Sequence, residues 1–156
     1  NIVNTATTIA KDYNHEYVTL EHLLIALVEY PAFNKLLIDF GIEAEELLRD
    51  LYEYIGKQDY LVAPTTVTEL VPQRTHSLER VFNRAFTQVL FSGRSQIEPV
   101  DCFISLFSEK KSYAIYFLKL SKETLPKSNS GLTLKEWFTY LGQSGQAALH
   151  RLESST

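Results

Sequence analysis

Val18-Thr19-Leu20-Glu21-His22-Leu23-Leu24-Ile25-Ala26-Leu27-Val28 reads as one capped helix. Thr19 has the side chain of an N-cap, and Glu21 falls in the first turn, where the helix dipole favours a carboxylate. Leu20, Leu23, Leu24, Leu27 and Val28 then supply the buried face at three- and four-residue steps. Upstream, Ile2, Val3, Ala6, Ile9, Ala10 and Tyr13 line one face of a preceding helix, and Asn14-His15-Glu16 forms the turn between the two. Downstream, Pro31 suits the first position of a third helix, and Gly41 suits the left-handed cap that ends it. A fourth helix starts near Glu43, presents Leu47, Leu48, Leu51 and Ile55, and ends at Gly56.

Gly56 to Arg74 is a long connection containing Pro64 and Pro72, and beyond it the plan repeats. Ser77 is positioned to cap a helix bearing Leu78, Val81, Phe82, Ala85, Val89 and Leu90 and ending at Gly93. Pro99 opens a helix with Val100, Phe103, Ile104 and Phe107, and Ser112 caps another through Leu120. After the Ser128-Asn129-Ser130-Gly131 loop, Thr133 and Glu136 form a capping box ahead of Trp137, Phe138 and Leu141. At an offset of 79 residues Ala6 pairs with Ala85, Val18 with Ile97, Leu24 with Phe103, Ile25 with Ile104 and Leu27 with Leu106. An offset of 81 then pairs Leu36 with Phe117 and Leu37 with Leu118. The expectation is an all-α fold of two four-helix repeats related by a pseudo-twofold axis, about 1–60 and 75–142, with 143–156 a linker or tail.

Composition excludes several classes. The chain has 156 residues, 45% of them hydrophobic, with a net charge of −4, which argues for a packed domain and against disorder. Cys102 is the single cysteine, so no disulfide framework exists. The longest uninterrupted apolar run, Leu23 to Val28, is six residues; a membrane span needs about 20. No basic n-region precedes an apolar h-region, so the expected location is cytoplasmic. Residues 1–61 carry 4 basic and 11 acidic side chains, while 62–156 carry 11 basic and 8 acidic. An acidic first half argues against nucleic-acid binding there, since a phosphate backbone needs a basic footprint. Solvated helix faces and an acidic docking face are the two readings of that charge.

The stretch His15-Glu16-Tyr17-Val18-Thr19-Leu20-Glu21-His22-Leu23-Leu24 resembles the HE-(F/Y)-(M/V)-T-x-EHLL signature of Clp unfoldase N-terminal domains. In the second repeat, Thr75-His76-Ser77-Leu78-Glu79-Arg80-Val81, Phe91-Ser92-Gly93-Arg94 and Phe107-Ser108-Glu109 are similar to the ClpA branch, as is Ala114-Ile115-Tyr116-Phe117-Leu118. The resemblance covers residues 1 to about 125 well and 132–142 loosely. It implies a non-catalytic docking domain ahead of two ATPase modules, which delivers unfolded or tagged proteins to a ClpP peptidase and binds a ClpS-type adaptor. It also implies adaptor contacts at Glu16, Glu21, Thr75 and Arg80. The 156 residues contain no G-x-x-x-x-G-K-(S/T) phosphate loop to cradle ATP, so the expectation is either an excised domain or a motor supplied elsewhere, and the absence of Met fits an excised or trimmed chain. The isolated domain is expected to be a monomer with no cofactor and neither nucleic-acid nor membrane partners.

The residue chemistry of those four positions suits docking. Glu16 and Glu21 accept charge-assisted hydrogen bonds, and Arg80 offers a planar fork to a carboxylate. Their structural alternatives are a dipole role for Glu21, a turn role for Thr75, and pairing of Arg80 with Glu79 or a first-repeat acid. His15, Glu16, Glu21 and His22 lack the H-E-x-x-H spacing of a zinc helix, so no metal is expected and His22 is read as half-buried. Cys102, on an apolar helix, reads as a buried structural thiol. Among the tyrosines, Tyr13, Tyr17, Tyr30, Tyr52, Tyr54, Tyr60, Tyr113 and Tyr116 are candidates for partial exposure, and an exposed subset between the repeats would form a groove for unfolded polypeptide. A ClpC-like relative that binds phosphoarginine would need acids at equivalent positions of both repeats. Glu21 supplies one, but the 79-residue offset puts Val100 at the other, with Asp101 only adjacent. A stand-alone decoy of the docking domain is a further alternative.

Overall fold

The computed structural model describes residues 2–39, 41–64, 69–109 and 111–123. Within them the chain runs α1 (Ile2–Asp12), β1 (Tyr17–Val18), α2 (Leu20–Glu29), α3 (Pro31–Asp39), α4 (Ala44–Gly56), a 3₁₀ turn (Asp59–Leu61), β2 (Gln73–Arg74), α5 (His76–Phe91), α6 (Pro99–Leu106) and α7 (Tyr113–Glu123). The expected last helix around 133–142, and the 143–156 tail, lie outside the described residues.

α2 sits at the centre. Every residue from Leu20 to Val28 is buried, including Glu21 and His22. A helix that is covered all round must touch several neighbours, and α2 packs on α1, α3, α4, α5, α6 and α7. Its apolar periodicity marks one face only; packing from both repeats closes the others. Phe33 of α3 meets Phe103 of α6 edge-on at 4.8 Å, joining the halves through the core. Tyr54 of α4 lies 4.8 Å from the Tyr113 ring and 5.6 Å from Phe117, which ties α4 to α7. Edge-to-face aromatic pairs of this kind add roughly 0.5–1.5 kcal/mol beyond their buried area.

The repeat is visible in backbone detail. α1 ends with Asn14 in the left-handed region at φ 56°, and the His15 N–H donates to Ala10 O at 2.8 Å. Seventy-nine residues later Gly93 has φ 76°, and the Arg94 N–H donates to Val89 O at 3.0 Å. Both are six-residue wraps around a left-handed residue, the geometry that satisfies orphan carbonyls at a helix end. Gly41, at φ 85°, ends α3 as expected, with the Ile42 N–H bonded to Leu37 O at 3.0 Å.

Two features differ from the sequence reading. β1 and β2 form a two-residue parallel ladder, Tyr17 opposite Gln73 and Val18 opposite Arg74. No period-two pattern can mark so short a pairing. The cap of α5 is Thr75 and not Ser77: Thr75 Oγ1 accepts the Leu78 N–H at 3.2 Å, while Ser77 Oγ accepts from Arg80 at 3.0 Å. The Thr75 N–H is held by Val18 O at 3.2 Å, which places the cap one residue after the ladder.

Candidate docking surface

The ladder brings the starts of α2 and α5 side by side. The Glu16 N–H donates to Leu61 O at 2.6 Å, and Glu16 O accepts the Gln73 N–H at 3.0 Å. Glu16 and Thr75 therefore flank one short strand pair, with the Glu16 side chain exposed and Thr75 partly so. Tyr17, at 40% exposure, and Tyr60, at 75%, lie in the same crossing of segments. Tyr113 and Tyr116 are exposed as well, and Tyr13, Tyr30, Tyr52 and Tyr54 are partly buried against the core.

Glu21 and Arg80 stand differently. Glu21 is 9% exposed, and burial raises its carboxyl above the ordinary value, opposed by hydrogen bonds from its own backbone and from Thr19. Arg80 is exposed, but its guanidinium lies 2.7 Å from Glu109. The expected partners, Glu79 or a first-repeat acid, are not the ones it finds, because Glu79 faces Arg74 at 3.6 Å. Glu109 also takes Arg84 at 2.9 Å, and Arg84 reaches Ser105 O and Oγ at 3.0 Å, a tether between α5 and the end of α6. The hydrogen bond from Arg80 is the first cause holding the Glu109 carboxyl below its usual range. Of the four candidate positions, the fold groups Glu16 with Thr75, buries Glu21 at the start of α2, and gives Arg80 an internal competitor.

Behind this face lies an arrangement the sequence reading missed. His22 is fully buried, not half-buried, and His15 is 2% exposed. The Thr19 N–H donates to His22 Nδ1 at 2.9 Å, so the ring proton sits on Nε2, which donates to His15 Nδ1 at 2.9 Å. Burial, and then His15, push the His22 imidazole down to about 4, and burial lowers His15. The pair is neutral at physiological pH and clasps the end of α1 to the start of α2. At the 79-residue offset the same clasp recurs as Arg94 and Asp101. The guanidinium meets both carboxylate oxygens at 2.9 and 3.0 Å, and the Glu98 N–H donates to Asp101 Oδ2 at 2.9 Å. Polar residues at matching offsets, 15 with 94 and 22 with 101, were the available signal. Among the described residues no group of His, Cys, Asp and Glu is arranged to hold a metal ion.

A groove of ≈ 630 Å³ opens between the repeats, between the beginning of α1, the end of α2, α5 and the start of α6. Cys102 lines it, and burial pushes the thiol up to about 12, so it stays protonated and unreactive at neutral pH. Among the described residues no helix is long and apolar enough to cross a membrane.

An all-α domain of two related helical repeats, joined by a short strand ladder, is the class this arrangement defines. Residues 1–121 match the Clp repeat (R) N-terminal domain, and the chain belongs to that family, the N-domains of Clp/Hsp100 ATPases. It is 32% identical over 118 residues to a ClpA homolog protein of Fuscovulum blasticum, a match that covers 75% of this chain and 15% of that protein. The chain thus corresponds to a small part of that relative's length. By fold it is similar to the Hsp104 N-terminal domain of Candida albicans, with TM-score 0.70, 14% identity, and coverage of 94% of this chain and 87% of that one. It is also similar to a ClpV N-domain solved in complex with a VipB peptide, with TM-score 0.65, 16% identity, and coverage of 96% and 82%.

Proposed function

We propose that this domain docks adaptors and substrates for a ClpA-type unfoldase that feeds a ClpP peptidase, and that it takes a ClpS-type adaptor on the face around β1 and β2. The observation that carries this reading is the ladder itself. It sets Glu16 beside the Thr75 cap and starts the helices bearing Glu21 and Arg80 from adjacent strands. The exposed Glu16 carboxylate beside the ladder suits a partner that presents amides and cations, and the exposed Arg80 one that presents a carboxylate. Arg80 takes part by exchanging Glu109 for a carboxylate of the adaptor, with Arg84 remaining on Glu109.

Phosphoarginine recognition of the ClpC kind is disfavoured. Val100 is fully buried, and the carboxylate of Asp101 is engaged twice by Arg94. The test is titration calorimetry of the domain with purified ClpS at low and moderate salt. Saturable one-to-one binding, weakened at least tenfold by Glu21→Lys together with Arg80→Glu in a variant that keeps its helical circular dichroism, supports the reading. An isotherm unchanged by both reversals overturns it.

A further inference from the structure

The outer face of α5 is apolar where the fold does not require it. Phe86, Leu90 and Phe91 are 46%, 55% and 84% exposed, and none of them lines the groove between the repeats. With the register fixed on the left-handed residues Asn14 and Gly93, the 79-residue offset sets them opposite Thr7, Lys11 and Asp12 of α1. The inward positions of the two helices agree, since Ala6 and Ala10 are buried in α1 and Ala85 and Val89 in α5. The same helix packs with polar residues outward in the first repeat, so packing does not call for two phenylalanines and a leucine in the second.

The patch is also ready to be covered. From Ala85 to Gly93 no side chain ionises. Helical spacing sets Thr87 among Phe86, Leu90 and Phe91 on the outer face. Its hydroxyl donates to Asn83 O at 2.9 Å, and that of Ser92 donates to Gln88 O, so burial leaves neither donor unmade. The nearest cations, Arg84 and Arg94, are held by Glu109 and Asp101 at 2.9 Å each. A charged partner finds no free charge to pair with here, whereas two copies of this patch bring no unneutralised like charges together.

We infer that the outer face of α5 is a contact between two copies of this chain, paired antiparallel about a twofold axis near Thr87, with Phe86, Leu90 and Phe91 of each copy interleaved. Such a contact uses one patch twice and closes at the dimer. The three side chains offer on the order of 300 Å² per copy, short of the ~800 Å² per partner of a stable interface. Association is therefore weak, with a Kd of about 0.1–1 mM, and the chain is a monomer in dilute solution. It takes effect where an assembly holds several copies at a comparable effective concentration. The inference is independent of the docking reading, whose Thr75 and Arg80 lie at the other end of α5.

Sedimentation equilibrium and amide chemical shifts, followed from about 20 µM to about 1 mM, span that Kd and test the pairing. The expected result is a mass that rises toward twice that of the chain, with concentration-dependent shifts centred on the second half of α5. Phe86→Thr with Leu90→Lys and Phe91→Asp, which installs the residues α1 carries at the same offsets, should stay a monomer throughout and keep its helical circular dichroism. If that triple variant loses helicity, Phe91→Ser at the most exposed position replaces it, with association weakened about threefold or more. No association over this range, or association that these variants retain, overturns the inference. So does a mass that climbs past the dimer, because a contact between unlike patches does not close. Association that collapses as salt rises also overturns it, because charge would then be holding the copies together. Shifts in α5 that appear only on adding a ClpS-type adaptor or phosphatidylcholine vesicles would give the patch to another occupant and overturn the second copy.

Discussion

At the start of α2 the clasp is two neutral imidazoles; at the start of α6, 79 residues further on, it is a guanidinium on a carboxylate. Both hold the residue after a left-handed turn against the third residue of the next helix, and in both that third residue accepts the N–H of the cap, Thr19 or Glu98. The geometry is shared and the electrostatics are not. The imidazole pair is buried and carries no charge, so it costs little desolvation but is exposed to protonation. The Arg94–Asp101 pair has Asp101 only 6% exposed, with Arg94 Nε lacking a hydrogen-bond partner among the described residues. Such a pair pays heavily for desolvation and is costly to break from one side. One domain therefore contains a neutral and an ionic version of the same joint.

The largest effect expected from breaking this comparison is at the charged clasp. Asp101→Ala removes the carboxylate, strands Arg94 and uncaps the Glu98 amide, and should cost about 3–4 kcal/mol in urea unfolding. A loss below about 1 kcal/mol would show that the joint is held by packing alone.

Next comes acid. The folded His22 value, about 4, lies below the unfolded value near 6.5, so the unfolded chain binds the extra proton first. Stability contributed by the neutral pair is complete above about pH 6.5 and is lost as pH falls toward 4, some ~3 kcal/mol for His22 alone. Hydrogen exchange should show the Thr19 amide losing protection between pH 6.5 and 4.5. Transplanting the second clasp into the first, His15→Arg with His22→Asp, should flatten that pH dependence. An equally steep loss in the transplant would place the acid response elsewhere.

The smallest effect concerns Glu21, whose carboxyl is raised by burial. A raised carboxyl favours the fold below its ordinary value, and this contribution is lost as pH rises through the raised value, so its ionisation at pH 7 opposes folding. Glu21→Gln should raise Tm by about 1–3 °C at pH 7, and not at pH 4. If the same change weakens adaptor binding in calorimetry, Glu21 is retained at the expense of stability for docking. A lower Tm at pH 7 would mean that its hydrogen bonds outweigh its desolvation.

The helices were legible because their signals are local. Thr19, Pro31, Gly41, Pro99 and Ser112 act within a turn of themselves, and Ser112 Oγ does accept the Ala114 N–H at 3.0 Å. The repeat was legible because burial coincides at several of those offsets: Ala6 and Ala85 are each 1% exposed, and Leu24 and Phe103 are fully buried, whereas Val18 is buried and its counterpart Ile97 is exposed. Cys102 was correctly read as a buried thiol for the same reason. Ser77 misled because a hydroxyl two residues into a helix looks like a cap until the strand before it is seen to end at Arg74.

By itself, then, the sequence determined an all-α chain, where most of its helices start and stop, and membership of a doubled family, since each depends on neighbours within a few residues or on repetition at a constant interval. Only the tertiary structure decided that His15 and His22 share a proton-bearing contact, that Glu109 holds Arg80, and that Glu29 and Glu98 line the same groove. Those contacts join residues 7 to 29 positions apart within a repeat, or pair α2 with α6 across them. Distances across a fold follow from how whole helices pack, and no local pattern of residue types encodes them.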